Sequence, residues 1–498
     1  MTMGSTPCTG SIPGRFVAVP DPLRDPDQIQ DALRLVEREA EAYLATVDEA
    51  LVRPLGRPAI DGGLPAEGIG SLRALTELVA ASTEGATRST GPRFFHFVMG
   101  GVTPAALGAD WLTSTLNQSA YNWVSSPLAS RIEQVALAWL KELFGIPASW
   151  SAVMTSAATT ANVVGLASAR RWWGLRHGVD VDGQGFSGLP AVPVFAGGYL
   201  HASAVKALGM VGIGRERPTI LADAATGRID LAALSQALES LGGRPAIVMA
   251  TAGDVNTGEF DPLKEMAALT KRYGAWLHVD GAFGLYAALT PRTQHLVDGL
   301  DGADSIAVDG HKWMNAPYDT GFAFVRDQGV HAGAFSASAA YLGSEALARP
   351  VFGNLGSEMS RRARAIPVWA TLRAYGRDGY RAMIERHLAL AQRVARQVDE
   401  APDLERLAGV PLNIVCFRFH PAGADERQLD ELNRKLGEMV LEDGRVYFGT
   451  TEYAGKVAFR PAIVNWRTKE KDVDLIVEVT RELGAKLMST MEPTATTA

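Results

Sequence analysis

The tightest constraint on the fold is an alternation. Between residues 104 and 325, apolar runs of three to five residues alternate with longer stretches whose apolar positions recur every three or four. The runs are 192–196, 220–222, 246–250, 276–279, 305–308 and 322–325. The helical stretches are 104–118, 130–144, 160–171, 201–209, 230–241 and 262–273. Strands separated by helices long enough to cross back over a sheet pair in parallel, and the helices then cover both faces. The expectation is an α/β fold with a mostly parallel central sheet.

The flanks have a different texture. Residues 27–50 carry apolar side chains at Ile29, Leu33, Val36, Ala40, Tyr43 and Val47, spaced for an amphipathic helix, and a second helix is expected over 71–81. Residues 369–400 form one long helix or a kinked pair. Beyond them, strands at 412–419, 445–447 and 455–461 and helices at 425–442 and 470–488 outline a small α+β region. This predicts a leader and helical segment over 1–103, a large α/β domain over 104–368 and a C-terminal α+β domain over 369–498.

Composition narrows the function classes. Lys+Arg 48 against Asp+Glu 55 gives a net charge of −7, without the basic footprint of a nucleic-acid binder. The longest apolar stretch falls short of a membrane span, and residues 1–20 lack the apolar centre of a secretory signal. Two cysteines, Cys8 and Cys416, do not make a disulfide framework; a cytoplasmic, reducing location is the expectation. The chain has no metal-ligating motif, and no metal is expected. Gly183–Gly188 matches GxGxxG but precedes a strand rather than a helix, so it is read as a surface loop.

Five features sit at the ends of the apolar runs. Lys312 follows the run ending at Val308, where an α/β sheet places its ligands; an amine partly desolvated there becomes a nucleophile, although a solvated loop lysine is the ordinary reading. Asp280 ends the run Trp276–Val279; it suits an N-cap, a metal, or a protonated ring nitrogen. Ala158 and Thr159 precede a helix, where small residues let backbone N–H groups approach a phosphate, unless this is simply a capped helix start. His201 could stack on a flat ring or merely be hydrogen-bonded, and Thr251 ends a further run at what is otherwise a plain turn.

Together these features resemble the group II pyridoxal-phosphate amino-acid decarboxylases, the family of aromatic-L-amino-acid and glutamate decarboxylases. The resemblance spans about residues 93–483 and is most specific at His311-Lys312-Trp313 and His278-Val279-Asp280-Gly281-Ala282. It implies the PLP-dependent transferase fold type I and pyridoxal 5'-phosphate as cofactor. Lys312 then carries the internal aldimine, Asp280 pairs with the pyridine nitrogen and His201 stacks on the ring. Ala158 and Thr159 hold the phosphate, Thr251 and Ala282 line the cofactor, and His311 lies beside the reacting amine. Residues 334–342 match the family's mobile loop, with Tyr341 as the proton donor to the α-carbon. A homodimer whose loops reach into the neighbouring site follows from the same likeness.

The resemblance implies decarboxylation of an L-amino acid. Phe94, Val98, Met99, Tyr121 and Trp123 are the implied substrate contacts, and their apolar character favours an aromatic or other apolar side chain. Aldehyde synthesis, aminotransfer or lyase chemistry on the same fold is the alternative. Two departures stand out. Asp309 occupies the place of a family asparagine that binds phosphate, and two anions repel unless the carboxylate is neutralised. Arg361, Arg362 and Arg364 are the candidate helpers. Gly100 replaces a family threonine that seats the substrate carboxylate.

Overall fold

The computed structural model describes residues 28–60, 62–336 and 349–491. The chain divides into two compact units, one reaching to Thr46 and including Pro54–Ala86, the other comprising Val47–Arg53 and everything from Thr87 onward. In the smaller unit, helices Ile29–Thr46 and Ser71–Gly85 form as their spacing predicts. The apolar stripe of the first is open: Ile29 and Leu33 are each 59% exposed.

The larger unit is built on a seven-stranded sheet. Its strands are β1 (Ser151–Thr155), β2 (Val194–Ala196), β3 (Pro218–Ile220), β4 (Ile247–Thr251), β5 (Trp276–Asp280), β6 (Ser305–Asp309) and β7 (Gly321–Val325), in the order β1-β7-β6-β5-β4-β2-β3. The pairings β3–β2, β2–β4, β4–β5 and β5–β6 are parallel, and only β7 runs antiparallel to its neighbours. This is the α/β, mostly parallel sheet that the alternation predicts. Strands β4, β5, β6 and β7 are buried along their whole length because helices cover both faces.

A second sheet joins β8 (Leu404–Arg406), β9 (Phe417–Phe419), β10 (Thr450–Tyr453) and β11 (Lys456–Phe459), antiparallel throughout, in the order β10-β11-β9-β8. It differs from the expectation in detail. Of residues 412–419 only the last three are strand, and 445–447 join no ladder; Tyr447 instead bridges to Phe94. The hairpin β10–β11 turns through Ala454 and Gly455, both at positive φ, where Gly carries no Cβ penalty. The long helix Ala365–Glu400 is one element with a break at Gly376 (φ 61°, ψ −174°). Residues 183–188 lie in a short helix, Val181–Gln184, and the turn after it, so the glycine motif forms no dinucleotide loop. Among the described residues, no helix is long and apolar enough to cross a membrane.

Candidate active site

The sheet topology brings the five sequence features together. In a parallel sheet the carboxyl ends of neighbouring strands lie side by side. Thr251 pairs with Asp280 across β4 and β5, and Asp280 pairs with Ala307 across β5 and β6. Beyond the ladder, Asp309 N–H donates to Ala282 O at 2.9 Å and Gly281 N–H to Ala307 O at 2.9 Å. Thr251, Asp280, Ala282 and Asp309 therefore share one edge, with Lys312 three residues past the last strand.

Lys312 is held by charge and packing. Its Nζ lies 3.1 Å from Asp309 Oδ2 and 5.8 Å from the centroid of the Phe283 ring. Its backbone carbonyl is pressed by the neighbouring segment: a Cβ on Gly100 would come within 2.0 Å of Lys312 O. No side chain fits at Gly100 in this arrangement. Gly100 N–H donates to His311 O at 3.1 Å, so residues 98–100 buttress the lysine loop.

Asp309 is the second anchor. Helix Ala158–Arg176 begins without a side-chain cap of its own, and Ala158 N–H donates to Asp309 Oδ1 at 2.5 Å. The carboxylate is thus neutralised by the lysine and by the positive end of the helix. It does not use the arginines expected to help. Arg361 forms a buried pair with Glu133 at 2.8 Å, Arg362 reaches Asp110 at 2.8 Å, and Arg364 pairs with Asp319 and Glu358, each at 2.9 Å. These are structural pairs, and that expectation is corrected.

His311 is buried and stacks on Tyr318 with ring centroids 4.0 Å apart. Thr320 N–H donates to its Nδ1 at 3.3 Å, which leaves the proton on Nε2, 3.4 Å from Asp309 Oδ1. Burial lowers its pKa, with Asp309 opposing. His201 caps helix Ala202–Met210, its Nδ1 accepting from Ser203 N–H at 3.2 Å. The residue is exposed, yet enough protein crowds the ring for desolvation to lower its pKa, against the pull of Asp280. Asp280 is 7% exposed, and its oxygens accept from Ala282 N–H at 3.1 Å and Asn162 Nδ2 at 2.9 Å.

The residues expected to touch substrate are more scattered. Val98 is fully buried in the core at φ 58°, and Met99 sits beside it, half-buried. Phe94 stacks on Tyr447 at 5.4 Å. Tyr121 O accepts from Gly353 N–H at 3.0 Å, and the Trp123 ring lies under Arg349 at 4.7 Å. Tyr341 lies outside the described residues. Sequence reasoning passed over Asn162 and His278 as functional residues. The signal was present: Asn162 is four residues after Ala158 on its helix, and His278 is two before Asp280 on its strand, so each shares a face with a candidate residue.

The donor set fits pyridoxal phosphate. Past Ala158, the N–H groups of Thr159 and Thr160 are taken up by no protein group among the described residues, which leaves donors for a phosphate at the helix start. A Cβ on Gly321 would meet Ala157 at 2.7 Å, so the approach to this helix start is kept by a missing side chain. A buried carboxylate and a single amine complete the requirements of that cofactor.

The pyridoxal-dependent decarboxylase conserved domain matches residues 75–420. An aromatic-L-amino-acid decarboxylase of Bacillus atrophaeus is 30% identical over 389 residues, covering 77% of this chain and 79% of the relative. L-2,4-diaminobutyrate decarboxylase of Rhizobium meliloti (strain 1021) is 32% identical over 431 residues, 84% of each chain. Phenylacetaldehyde synthase of Arabidopsis thaliana is 26% identical over 429 residues, 83% of this chain and 86% of that one. The crystal structure of Oryza sativa TDC with PLP and tryptamine superposes with a TM-score of 0.86 at 26% identity, covering 93% of this chain and 99% of the other. The chain belongs to the pyridoxal-dependent decarboxylase family and is a PLP-dependent amino-acid decarboxylase of fold type I.

Proposed function

We propose that the substrate is an L-amino acid with an aromatic or other apolar side chain, converted to its amine and CO2. The observation that carries the site assignment is the convergence of Thr251, Asp280, Ala282, Asp309 and Lys312 on one sheet edge beside an open helix start. When bound, pyridoxal phosphate supplies the electron sink that takes up the pair left by departing CO2. Lys312 would hold the cofactor through its amine and yield that place to the amine of the substrate. Asp280 would face the ring nitrogen, and His201 would cover the ring. Thr159 would hold the phosphate through its open backbone N–H, and Ala158 would join it only where the phosphate displaces Asp309 from the Ala158 N–H. Thr251 and Ala282 would line the cofactor, and His311 would stand beside the reacting amine.

Tyr341 would deliver the proton to the α-carbon of the substrate. We place it in a loop contributed by the second subunit of a homodimer, whose closure excludes water. The open apolar stripe of helix Ile29–Thr46 supports a partner of that kind. A cytoplasmic site of action is part of the same proposal. Phe94, Val98, Met99, Tyr121 and Trp123 would shape the side-chain pocket. The aromatic preference is supported by the likeness to an aromatic-L-amino-acid decarboxylase.

The test is a screen of the common amino acids for CO2 release by the purified holoenzyme. Aromatic amino acids should rank first; a preference for acidic or diamino substrates would overturn the substrate class. Aldehyde formation is the second reading, favoured by the likeness to a phenylacetaldehyde synthase. Tyr341→Phe separates the two. It should keep CO2 release while diverting product from amine to aldehyde, with dioxygen consumed and ammonia and hydrogen peroxide released, and unchanged amine output would remove Tyr341 from the proton step.

A further inference from the structure

Behind the site, five polar side chains form an unbroken buried file. Trp276 Nε1 lies 2.9 Å from Ser305 Oγ, and Ser305 Oγ lies 2.8 Å from His278 Nδ1. His278 Nε2 is 2.8 Å from Asn162 Oδ1, and Asn162 Nδ2 is 2.9 Å from Asp280 Oδ2. Asn162, His278 and Ser305 are 0% exposed, Trp276 3% and Asp280 7%. The file thus runs through the interior to the sheet edge.

Its proton directions are fixed by chemistry at both ends. An indole N–H only donates and an ionised carboxylate only accepts. Asp280 therefore requires the NH2 side of Asn162, which turns Asn162 Oδ1 toward His278. That oxygen needs a donor, so the His278 proton sits on Nε2. Burial drives the pKa of His278 down to about 4, against the opposing pull of Asp280, so the ring is neutral and Nδ1 is bare. Nδ1 then accepts from the Ser305 hydroxyl, whose lone pair accepts from Trp276. Every donor points toward Asp280, and no link in the file is reversible without leaving a buried group unpaired.

The surroundings are shaped to keep the file intact. A Cβ on Gly165 would come within 2.7 Å of both Cε1 and Nδ1 of His278 and 3.0 Å of Ser305 Oγ. The helix carrying Asn162 lies directly over the imidazole only because residue 165 has no side chain.

We propose that Asn162 and His278, oriented by Ser305 and Trp276, are positioning residues for Asp280. With Ala282 N–H on Oδ1 and Asn162 on Oδ2, the file sets the plane of the carboxylate and reserves its remaining lone pairs for the cofactor's ring nitrogen. This rests on the reading, proposed above, that Asp280 faces that nitrogen. His278 acts as a neutral spacer of fixed tautomer, not as an acid or base. None of the four touches the reacting atoms.

The test compares His278→Leu, which removes the donor to Asn162, with His278→Gln, which returns an N–H at the position of Nε2. Pyridoxal phosphate is titrated into each apoprotein by fluorescence quenching, and kcat and KM are measured separately on the holoenzymes. His278→Leu should weaken cofactor affinity and lower kcat by about 10- to 100-fold each, the cost of leaving the buried Asn162 oxygen without its donor and so freeing the amide that holds Asp280. KM for the amino acid should change little, and His278→Gln should recover most of both losses. Equal behaviour of the Leu and Gln variants would overturn the proposal. Should the Leu variant fail to fold, 15N-histidine spectra of the wild-type holoenzyme decide, with His278 assigned by its loss in the Gln variant. A neutral ring protonated on Nε2 and unchanged over about pH 6 to 8 is expected; an Nδ1–H tautomer, or titration in that range, would overturn it. Asp280→Ala separates the two levels. Normal cofactor affinity and turnover in that variant would remove the role of Asp280 itself. A crippled Asp280→Ala beside a wild-type-like His278→Leu would remove only the file.

Discussion

Asp309 carries the sharpest conflict in the site. Its carboxylate takes the N–H of Ala158 at 2.5 Å and the ammonium of Lys312 at 3.1 Å, both positions that a bound phosphate and its attaching amine would contest. Asp309→Asn keeps an acceptor for Ala158 and removes a negative charge. Cofactor affinity of the apoprotein should therefore rise, by about 10-fold for a like-charge repulsion in a partly screened site. Titration with pyridoxal phosphate measures it, and weaker binding would show that the carboxylate helps to hold the cofactor. At this scale the sequence was partly legible. Lys312, Asp280 and Asp309 could be found because each is a charged residue at the end of an apolar run, where burial demands a reason. Asn162 was legible only through its helical spacing from Ala158, and Ser305 was not legible, because a lone Ser inside an apolar stretch is ordinary until its partners are known.

The elements were legible where the hydrophobic period was long and regular. The parallel strands of the large sheet and the helices that cross over it follow from the pattern, with ends shifted by a few residues. The small sheet was less so. Its strands are three or four residues long, too short to establish a period, and the segment 445–447 (Arg-Val-Tyr, with Val446 fully buried) joins no ladder. Long-range contacts decide such pieces, as the bridge between Phe94 and Tyr447 does. The long helix Ala365–Glu400 is tied to the lysine loop by buried bonds: Tyr380 OH donates to Met314 O at 3.0 Å and Trp313 Nε1 donates to His387 Nδ1 at 2.9 Å, while His387 Nε2 donates to Asn465 O at 3.0 Å. Burial, aided by Arg386, depresses the pKa of His387 to about 3. Below the ordinary histidine value of about 6.5 the unfolded chain takes up a proton that the folded chain refuses, so this contribution to stability is complete above that pH and is lost as pH falls toward 3. Relative to His387→Gln, the wild type should lose up to about 1.4 kcal/mol per pH unit between about pH 6 and 4. Denaturant titrations of both proteins across that range would show it; parallel pH profiles would mean that His387 is charged when folded.

The whole molecule is one large catalytic unit with a smaller helical unit whose apolar stripe is open. The loop exchange proposed above predicts complementation between defective chains. Lys312→Ala chains should have no activity, and Tyr341→Phe chains should give aldehyde. Refolded together, hybrid dimers in which the loop crosses subunits would join an intact Lys312 to an intact Tyr341, and amine formation should return. Amine that stays absent from purified hybrids would place the loop in its own subunit's site.

The amine at residue 312 is the proposed attachment point of the cofactor. Borohydride reduction of the resting holoenzyme, followed by proteolysis and mass mapping, tests it most directly. A stable pyridoxyl phosphate adduct is expected on the peptide containing Lys312 and should disappear in Lys312→Ala. An adduct on a different lysine, or none on a protein saturated with cofactor, would contradict it.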